Sequence, residues 1–150
     1  MIVNKQSLLA LAPIKDMFQS KLVHHESSTT FGLSGNGYDI RLKQSILVQP
    51  KQFVLGSSIE EFQMPANLLG VVHDKSSNIR QGISVFNSVI DSGWNGFLTI
   101  EIYNHSNAAI QLMAGMGIAH ILFHEVVHPT LYEGAYQNQP DRPVAGKEDM

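Results

Sequence analysis

Apolar residues between Tyr38 and Val126 occur in short groups, and this pattern most restricts what the chain can fold into. Each group has the length of a β-strand, and Gly, Pro, Asn or Ser residues stand between the groups. The groups are Tyr38-Ile40-Leu42, Ile46–Val48, Phe53–Leu55, Leu68–Val72, Ile83–Val85, Leu98-Ile100-Ile102, Ile110–Leu112 and Ile118–Val126. Repeated short strands with turn residues between them indicate an all-β fold, either a sandwich, a jelly roll or a barrel.

Two segments are predicted to be helical. Ser7–Ala12 is a short apolar stretch that predicts an opening helix, which Asn4 or Ser7 could cap and which Pro13 would interrupt. Ser76–Gln81 lacks alternation and is followed by Gly82, so we predict a single helical turn there. The first residues of such a turn have backbone N–H groups without helical partners.

The chain is predicted to be one domain over residues 1–150, because this length suits a single core and no repeat or linker divides the sequence. Ser27–Gly37 is rich in Ser, Thr, Gly and Asn and is predicted to be a loop. Residues 129–150 combine Pro, Gly, Gln, Asn and Asp with two Tyr residues and show no period. They are predicted to form a mobile C-terminal tail.

The composition excludes several classes of function. The chain has no cysteine, which excludes a disulfide scaffold, thiolate zinc sites, iron–sulfur clusters and a thiol nucleophile. A formal charge of −3 and the lack of a Lys/Arg cluster argue against nucleic-acid binding. No apolar run approaches the roughly 18 residues of a membrane span, and Met1–Gln6 does not resemble a secretory signal. We therefore expect a cytoplasmic protein that does not bind membranes.

Glu101 is the first candidate for a chemical role. Period-two alternation places Glu101 on the same strand face as Phe97, Thr99 and Tyr103. A carboxylate between two large aromatic residues would be partly desolvated, which raises its pKa toward the range useful for moving a proton. The alternative is a solvated Glu on a strand face, and by spacing alone that is the commoner outcome.

Two other segments contain possible ligand-binding groups. Asp91 stands at the start of a turn, where Asp commonly accepts backbone N–H groups instead. Trp94 could stack on a sugar or base, but a lone Trp is more often part of the core. Lys75–Arg80 combines hydroxyls, cations and a helix start, as a phosphate site would, although a capped surface turn is commoner.

Histidine spacing does not predict a metal site. His120 and His124 stand four residues apart, and in a strand their rings would be about 13 Å apart, too far to bind one ion. The other histidines show no ligand spacing and are predicted to lie on the surface or in loops.

Several segments, taken in order, resemble the motif series of the dCTP deaminase and dUTPase superfamily. They are Gly37–Leu42, Lys75–Ser77 with Arg80, Ile90–Gly96, Thr99–Asn104, Ala114–Ala119 and the C-terminal Tyr136–Gln139. The resemblance implies a homotrimer of distorted β jelly rolls or barrels of the dUTPase type, with nucleotide sites between subunits and a tail that closes over the triphosphate. It also implies that Mg²⁺ enters with the phosphates. Zinc is not implied, because the zinc deaminases need Cys ligands.

Within the superfamily, the residue at position 101 separates two activities. The deaminases have a catalytic Glu at this strand position, whereas dUTPases typically have an apolar residue. The resemblance therefore implies a dCTP deaminase, which releases ammonia and dUTP for thymidylate synthesis, with Glu101 as the proton shuttle. Attack of water on C4 of cytosine needs a group that takes the water's proton and returns it to the ring and the leaving amine.

The resemblance also implies roles for the other site residues. Ser76 would help to hold the attacking water, and Arg80 would pair with Glu101 or with the base. Lys75 and Ser77 would hold phosphates. The remaining nucleotide contacts would come from Asn87 in the turn that reads the base, Asp91 on the deoxyribose 3′-hydroxyl, Trp94 near the sugar, and Tyr136 and Gln139 over the triphosphate, with added charge from Arg142 or Lys147.

Departures from the family pattern leave two alternatives open. The stretch between Arg80 and Asp91 is about two residues shorter than in typical bacterial deaminases and closer to short dUTPases. The chain could therefore be a dUTPase, or a bifunctional enzyme that carries dCTP through to dUMP and pyrophosphate, with Asp91 orienting the water that attacks phosphorus. Lys75 stands where Arg is usual, and Asn78-Ile79 replaces a Leu-Ala pair. These substitutions would also suit a catalytically idle β module that binds a nucleotide or a partner.

Overall fold

β-Strands form most of the regular structure of residues 1–147, which are the residues that the computed structural model describes. The two helices of this range are α1, Lys5–Leu11, and α2, Ser76–Ile79. The strands are β1 Lys21–His24, β2 Thr29–Ser34, β3 Gly37–Arg41, β4 Ile46–Val48, β5 Phe53–Gln63, β6 Leu68–Asp74, β7 Ile83–Val85, β8 Val89–Ile90, β9 Asn95–Asn104, β10 Ile110–Leu112 and β11 Gly117–Glu125. Each predicted apolar group overlaps a strand, so the all-β prediction is confirmed.

The strands form three antiparallel sheets. Their orders are β1-β2-β3-β11-β6-β8, β5-β9-β7 and β10-β4. Each sheet ends in two edge strands, so within residues 1–147 no sheet closes on itself and the predicted barrel is wrong. A closed barrel requires the first and last strands of a sheet to pair with each other, and the edge strands of these sheets do not pair in this way.

Alternating side chains of β9 separate the core from the face that carries Glu101. Ile100 and Ile102 are fully buried in the hydrophobic core, whereas Glu101 and Tyr103 on the other face are only half-buried. Burial of each Ile side chain stabilises the fold by roughly 1.5–3 kcal/mol. The same alternation that builds the core therefore orients Glu101 away from it.

The predicted loop Ser27–Gly37 is wrong, because it contains β2, which pairs with both β1 and β3. The polar residues of β2 find partners inside the protein. Thr29 is buried, and its Oγ1 accepts a hydrogen bond from Gly117 N at 2.8 Å. Strands β1 and β8 were also not predicted.

The two predicted helical segments are confirmed as α1 and α2. Neither of these helices of residues 1–147 could span a bilayer. The predicted tail, residues 129–150, lies partly outside the described residues. Its described part has no regular element and lies against the β5-β9-β7 sheet, as detailed below.

Candidate active site

A pocket of about 430 Å³ lies on the Glu101 face of the β5-β9-β7 sheet. The sheet, the turn after β7 and the C-terminal tail all contribute to its wall. Predicted site residues that line it are Glu101, Asn87, Asp91, Trp94, Tyr136 and Gln139. The fold therefore brings together groups from segments far apart in the sequence.

Glu101 lies near the middle of β9, opposite Leu55 of β5. Its side chain is half-buried in the pocket, and burial raises the pKa of its carboxyl above the ordinary value. This direction confirms the predicted partial desolvation. Within residues 1–147 no cation forms an ion pair with Glu101. A carboxyl with a raised pKa is a stronger base than an exposed Glu, which suits it to exchange protons with a bound molecule.

Asn87 is hydrogen-bonded to the backbone of β9 at Thr99 and at Glu101. Its Nδ2 donates to Thr99 O at 2.7 Å, and its Oδ1 accepts from Glu101 N at 2.9 Å. These two bonds fix the turn after β7 against the strand. An amide can make up to four hydrogen bonds, so one N–H of Nδ2 and one lone pair of Oδ1 remain for a molecule bound in the pocket that Asn87 lines.

Asp91 and Trp94 belong to the tight turn between β8 and β9. Asp91 is exposed at the pocket, and its backbone O accepts a hydrogen bond from Trp94 N at 3.1 Å. Trp94 is buried, and its ring centroid lies 6.1 Å from that of Phe62 in the core. Its Nε1 donates to Tyr136 O at 2.7 Å. Trp94 is thus a core residue with an edge on the pocket.

Gln139 fixes the C-terminal tail to β9. It forms a parallel β-bridge with Gly96, and its Nε2 donates to Phe97 O at 2.9 Å and to Thr99 Oγ1 at 2.7 Å. Thr99 Oγ1 also accepts from Val144 N at 2.9 Å. The amide that was assigned to the triphosphate is therefore used to hold the tail. Sequence reasoning missed this role of Thr99, although it placed Thr99 on the face of Glu101.

Lys147 and Tyr136 lie together at the outer part of the tail. The hydroxyl of Tyr136 accepts from Lys147 N at 2.7 Å, and the Lys147 ammonium lies 5.3 Å from the Tyr136 ring centroid. Lys147 is exposed and directly follows Gly146, which lines the pocket. Arg142 is also exposed.

We expect Gly96→Ala to release the tail from the sheet. Gly96 has a φ of +136°, and a Cβ at this position would lie 2.5 Å from Gln139 N. Residues other than glycine rarely adopt this backbone conformation, and the strain costs about 1–3 kcal/mol. Limited proteolysis should therefore cut residues 129–147 about tenfold faster or more in Gly96→Ala. Gly35→Ala is the matched control, because a Cβ there has open space. Equal cleavage rates in the two variants would contradict the expectation.

The predicted residues of α2 do not line this pocket. Ser76 and Ser77 on α2 and Arg80 directly after it are exposed, and α2 follows β6 of the six-stranded sheet. The predicted pairing of Arg80 with Glu101 is not formed within the described chain. Lys75 is buried, and its ammonium lies 2.8 Å from Asp39 Oδ2, which argues against the predicted phosphate contact.

Metal-binding side chains are not grouped in residues 1–147, where no three His, Asp or Glu side chains could hold one ion together. The pocket does contain two separate carboxylates, Asp91 and Glu101. Magnesium in proteins is commonly bound by one or two carboxylates together with substrate phosphates. An ion that arrives with a triphosphate would therefore take its ligands mainly from phosphate oxygens and water.

The sequence model of the dCTP deaminase-like family matches residues 38–126. The chain belongs to this family. The matched range includes the Glu101 strand, α2 and the Asp91 turn, so it confirms the resemblance seen in the motifs. The deaminase-like match ends before the tail that covers the pocket.

Relatives of this deaminase-like chain carry deaminase names. The dCTP deaminase of Protochlamydia amoebophila is 30% identical over 149 residues, covering 80% of this chain and 79% of that protein. A dUMP-forming dCTP deaminase of Sulfurihydrogenibium sp. is 33% identical over 104 residues, covering 67% of this chain and 58% of that protein. The chain spans about half the length, 53%, of the first curated relatives that it matches.

The structure of the EIAV dUTPase resembles this fold. It superimposes with a TM-score of 0.57 at 22% sequence identity, covering 67% of this chain and 84% of the dUTPase. The likeness confirms a dUTPase-like fold for this member of the dCTP deaminase-like family.

Proposed function

We propose that the chain is a dCTP deaminase, which hydrolyses dCTP to dUTP and ammonia. The observation that carries the proposal is the half-buried Glu101, with a raised pKa, in a pocket that is large enough for a nucleoside. The family match and the names of the relatives support it.

In the proposed reaction, Glu101 moves two protons. Its carboxylate takes a proton from water as the water oxygen bonds to C4, and gives that proton to N3 of the ring. It then takes the hydroxyl proton and gives it to the amino group, so that the C4–N bond breaks, ammonia leaves and the C4 carbonyl forms. Atoms balance, since one water is consumed, and Glu101 ends as it began. General acid–base catalysis of this kind contributes about 10²–10⁴ in rate.

The rest of the substrate contacts are proposed from position. Asp91 would bind the 3′-hydroxyl beside Trp94, and the turn at Asn87 would meet the base. Tyr136 and Lys147 of the tail, which Gln139 holds in place, would cover the triphosphate. Magnesium is proposed to enter as part of the substrate, bound to phosphate oxygens.

The site is proposed to be completed by a second copy of the chain in a homotrimer. The exposed Ser76 and Arg80 do not line the pocket that contains Glu101, although the reaction would use them together. Ser76 would hold the attacking water, Ser77 would contact phosphate, and Arg80 would lie beside Glu101 or the base. This arrangement needs the α2 surface of one copy to meet the Glu101 pocket of another.

The test is product analysis with the purified protein and Mg²⁺. Incubation with dCTP is expected to release ammonia without pyrophosphate, and incubation with dUTP is expected to release no pyrophosphate. Ammonia and pyrophosphate are measured separately for each substrate. Absence of ammonia from dCTP would overturn the proposal.

A second candidate is a dUTPase or a bifunctional enzyme. The exposed carboxylate of Asp91 lies in the same pocket as Glu101, where it could orient a water toward phosphorus. One relative is also named as dUMP-forming. Pyrophosphate from dUTP alone would support a dUTPase, and ammonia together with pyrophosphate from dCTP would support the bifunctional enzyme. No turnover of either substrate would support an idle binding module.

A further inference from the structure

The helical turn α2 is held to the six-stranded sheet by two buried side chains. Lys75, directly before α2, donates from Nζ to Asp39 Oδ2 on β3 at 2.8 Å and to Thr30 Oγ1 on β2 at 3.2 Å. Asn78, within α2, donates from Nδ2 to Gly117 O of β11 at 3.0 Å. Lys75 is 9% exposed and Asn78 is 5% exposed. A helix of four residues has too few internal hydrogen bonds to be stable alone, so these contacts determine where it lies.

Asp39 is the group that fixes Lys75. It is 3% exposed, and His120 Nδ1 lies 2.7 Å from its second oxygen. Burial by itself raises the pKa of Asp39, but the hydrogen bonds from His120 and Lys75 outweigh it and hold the pKa below the ordinary value. Asp39 is therefore ionised at neutral pH, and Lys75 is its buried counterion. Moving this ammonium outward to a phosphate would leave a buried carboxylate with His120 and the Thr30 hydroxyl as its remaining side-chain partners.

We propose that Lys75 and Asn78 are positioning residues for the deaminase reaction and that Lys75 is not a phosphate ligand. Their buried bonds hold α2 so that Ser76 and Arg80 keep a constant orientation at the surface. The inference rests on the proposed function, because Ser76 and Arg80 have a role only if that reaction occurs. It also explains two departures from the family pattern, because the side chains of Lys75 and Asn78 both form hydrogen bonds inside the protein.

The kinetic test compares Lys75→Met with Asp39→Asn. Both changes break the same ion pair, but only the first removes a positive charge. A positioning role predicts that kcat with dCTP falls about tenfold in each variant, that KM changes less than about threefold, and that the double variant is no worse than either single one. Lys21→Met, at an exposed position on β1, is the control and should leave both constants unchanged. A large rise in KM for Lys75→Met alone would identify a phosphate ligand and overturn the proposal.

Hydrogen exchange provides a readout that does not depend on catalysis. In Lys75→Met and in Asn78→Leu, which keeps the ion pair, amides of residues 76–82 should exchange about tenfold faster while those of β9 are unchanged. Unchanged exchange in residues 76–82 would overturn the proposal, as would unchanged kcat in variants with faster exchange. If the wild-type protein releases neither ammonia nor pyrophosphate, the proposed function fails, whereas exchange still decides whether Lys75 and Asn78 hold α2.

Discussion

Glu101→Gln is expected to abolish ammonia release from dCTP, with kcat lowered by about 10²–10⁴. The amide has nearly the shape of the carboxyl, so the pocket and its binding of nucleotide should be kept. It cannot accept a proton from water and return it to the ring or to the amine. Ammonia release at saturating dCTP measures the loss, and calorimetric titration with dCTP measures binding.

The control for this prediction is Glu125→Gln, at an exposed position at the end of β11. It removes one carboxylate from a strand that contributes no residue to the pocket lining and should leave kcat unchanged. The pH profile provides a second check on the wild type. Because burial raises the pKa of Glu101, the rate should fall as the pH drops through that raised value, since the base form is lost. Undiminished deamination by Glu101→Gln would rule out the proton shuttle.

The strands that could be predicted are those with alternating or consecutive apolar residues. β9 is the clearest example, because Ile100 and Ile102 are buried and Glu101 lies on the opposite face, as the alternation requires. β2 could not be predicted in this way because several of its side chains are polar. The burial of the Thr29 hydroxyl is compensated by a hydrogen bond from Gly117 N. Gly117 is 88 residues away in the sequence and lies beside Thr29 only in the folded chain.

The candidate site could be predicted as a set of residues, but not as a set of contacts. The family resemblance implied Glu101, Asn87 and Gln139 as site residues, and the fold brings all three into one pocket. Residue type states which hydrogen bonds a side chain can make, but not which partner it meets. The amides of Asn87 and Gln139 bond to β9, and Lys75 bonds to Asp39, each within the chain. The hydrogen-bond distances in the folded chain were therefore needed to show that these side chains hold the turn, the tail and α2 in place.

Arg41, which is partly buried, forms an ion pair with the buried Glu60, and the largest effect on stability is expected from breaking this pair. Arg41 Nε donates to Glu60 Oε1 and Arg41 N donates to Oε2, each at 2.8 Å. The guanidinium lies 5.0 Å from the ring centroids of both Phe18 and Phe31. Glu60 is 5% exposed, so burial raises its pKa while the bonds from Arg41 oppose that rise. Removal of the guanidinium leaves the carboxylate desolvated, with mainly a backbone N–H to stabilise its charge.

Arg41→Met is therefore expected to lower the free energy of unfolding by about 3–5 kcal/mol. Urea unfolding at a fixed protein concentration measures the change, because association would otherwise alter the apparent stability. Lys15→Met is the matched control, since it breaks the exposed Lys15–Glu61 pair and should cost at most about 1 kcal/mol. Adding Glu60→Gln to Arg41→Met should recover part of the loss, because the unpaired charge is then gone. Equal costs for Arg41→Met and Lys15→Met would show that burial of the Arg41–Glu60 pair does not govern its contribution.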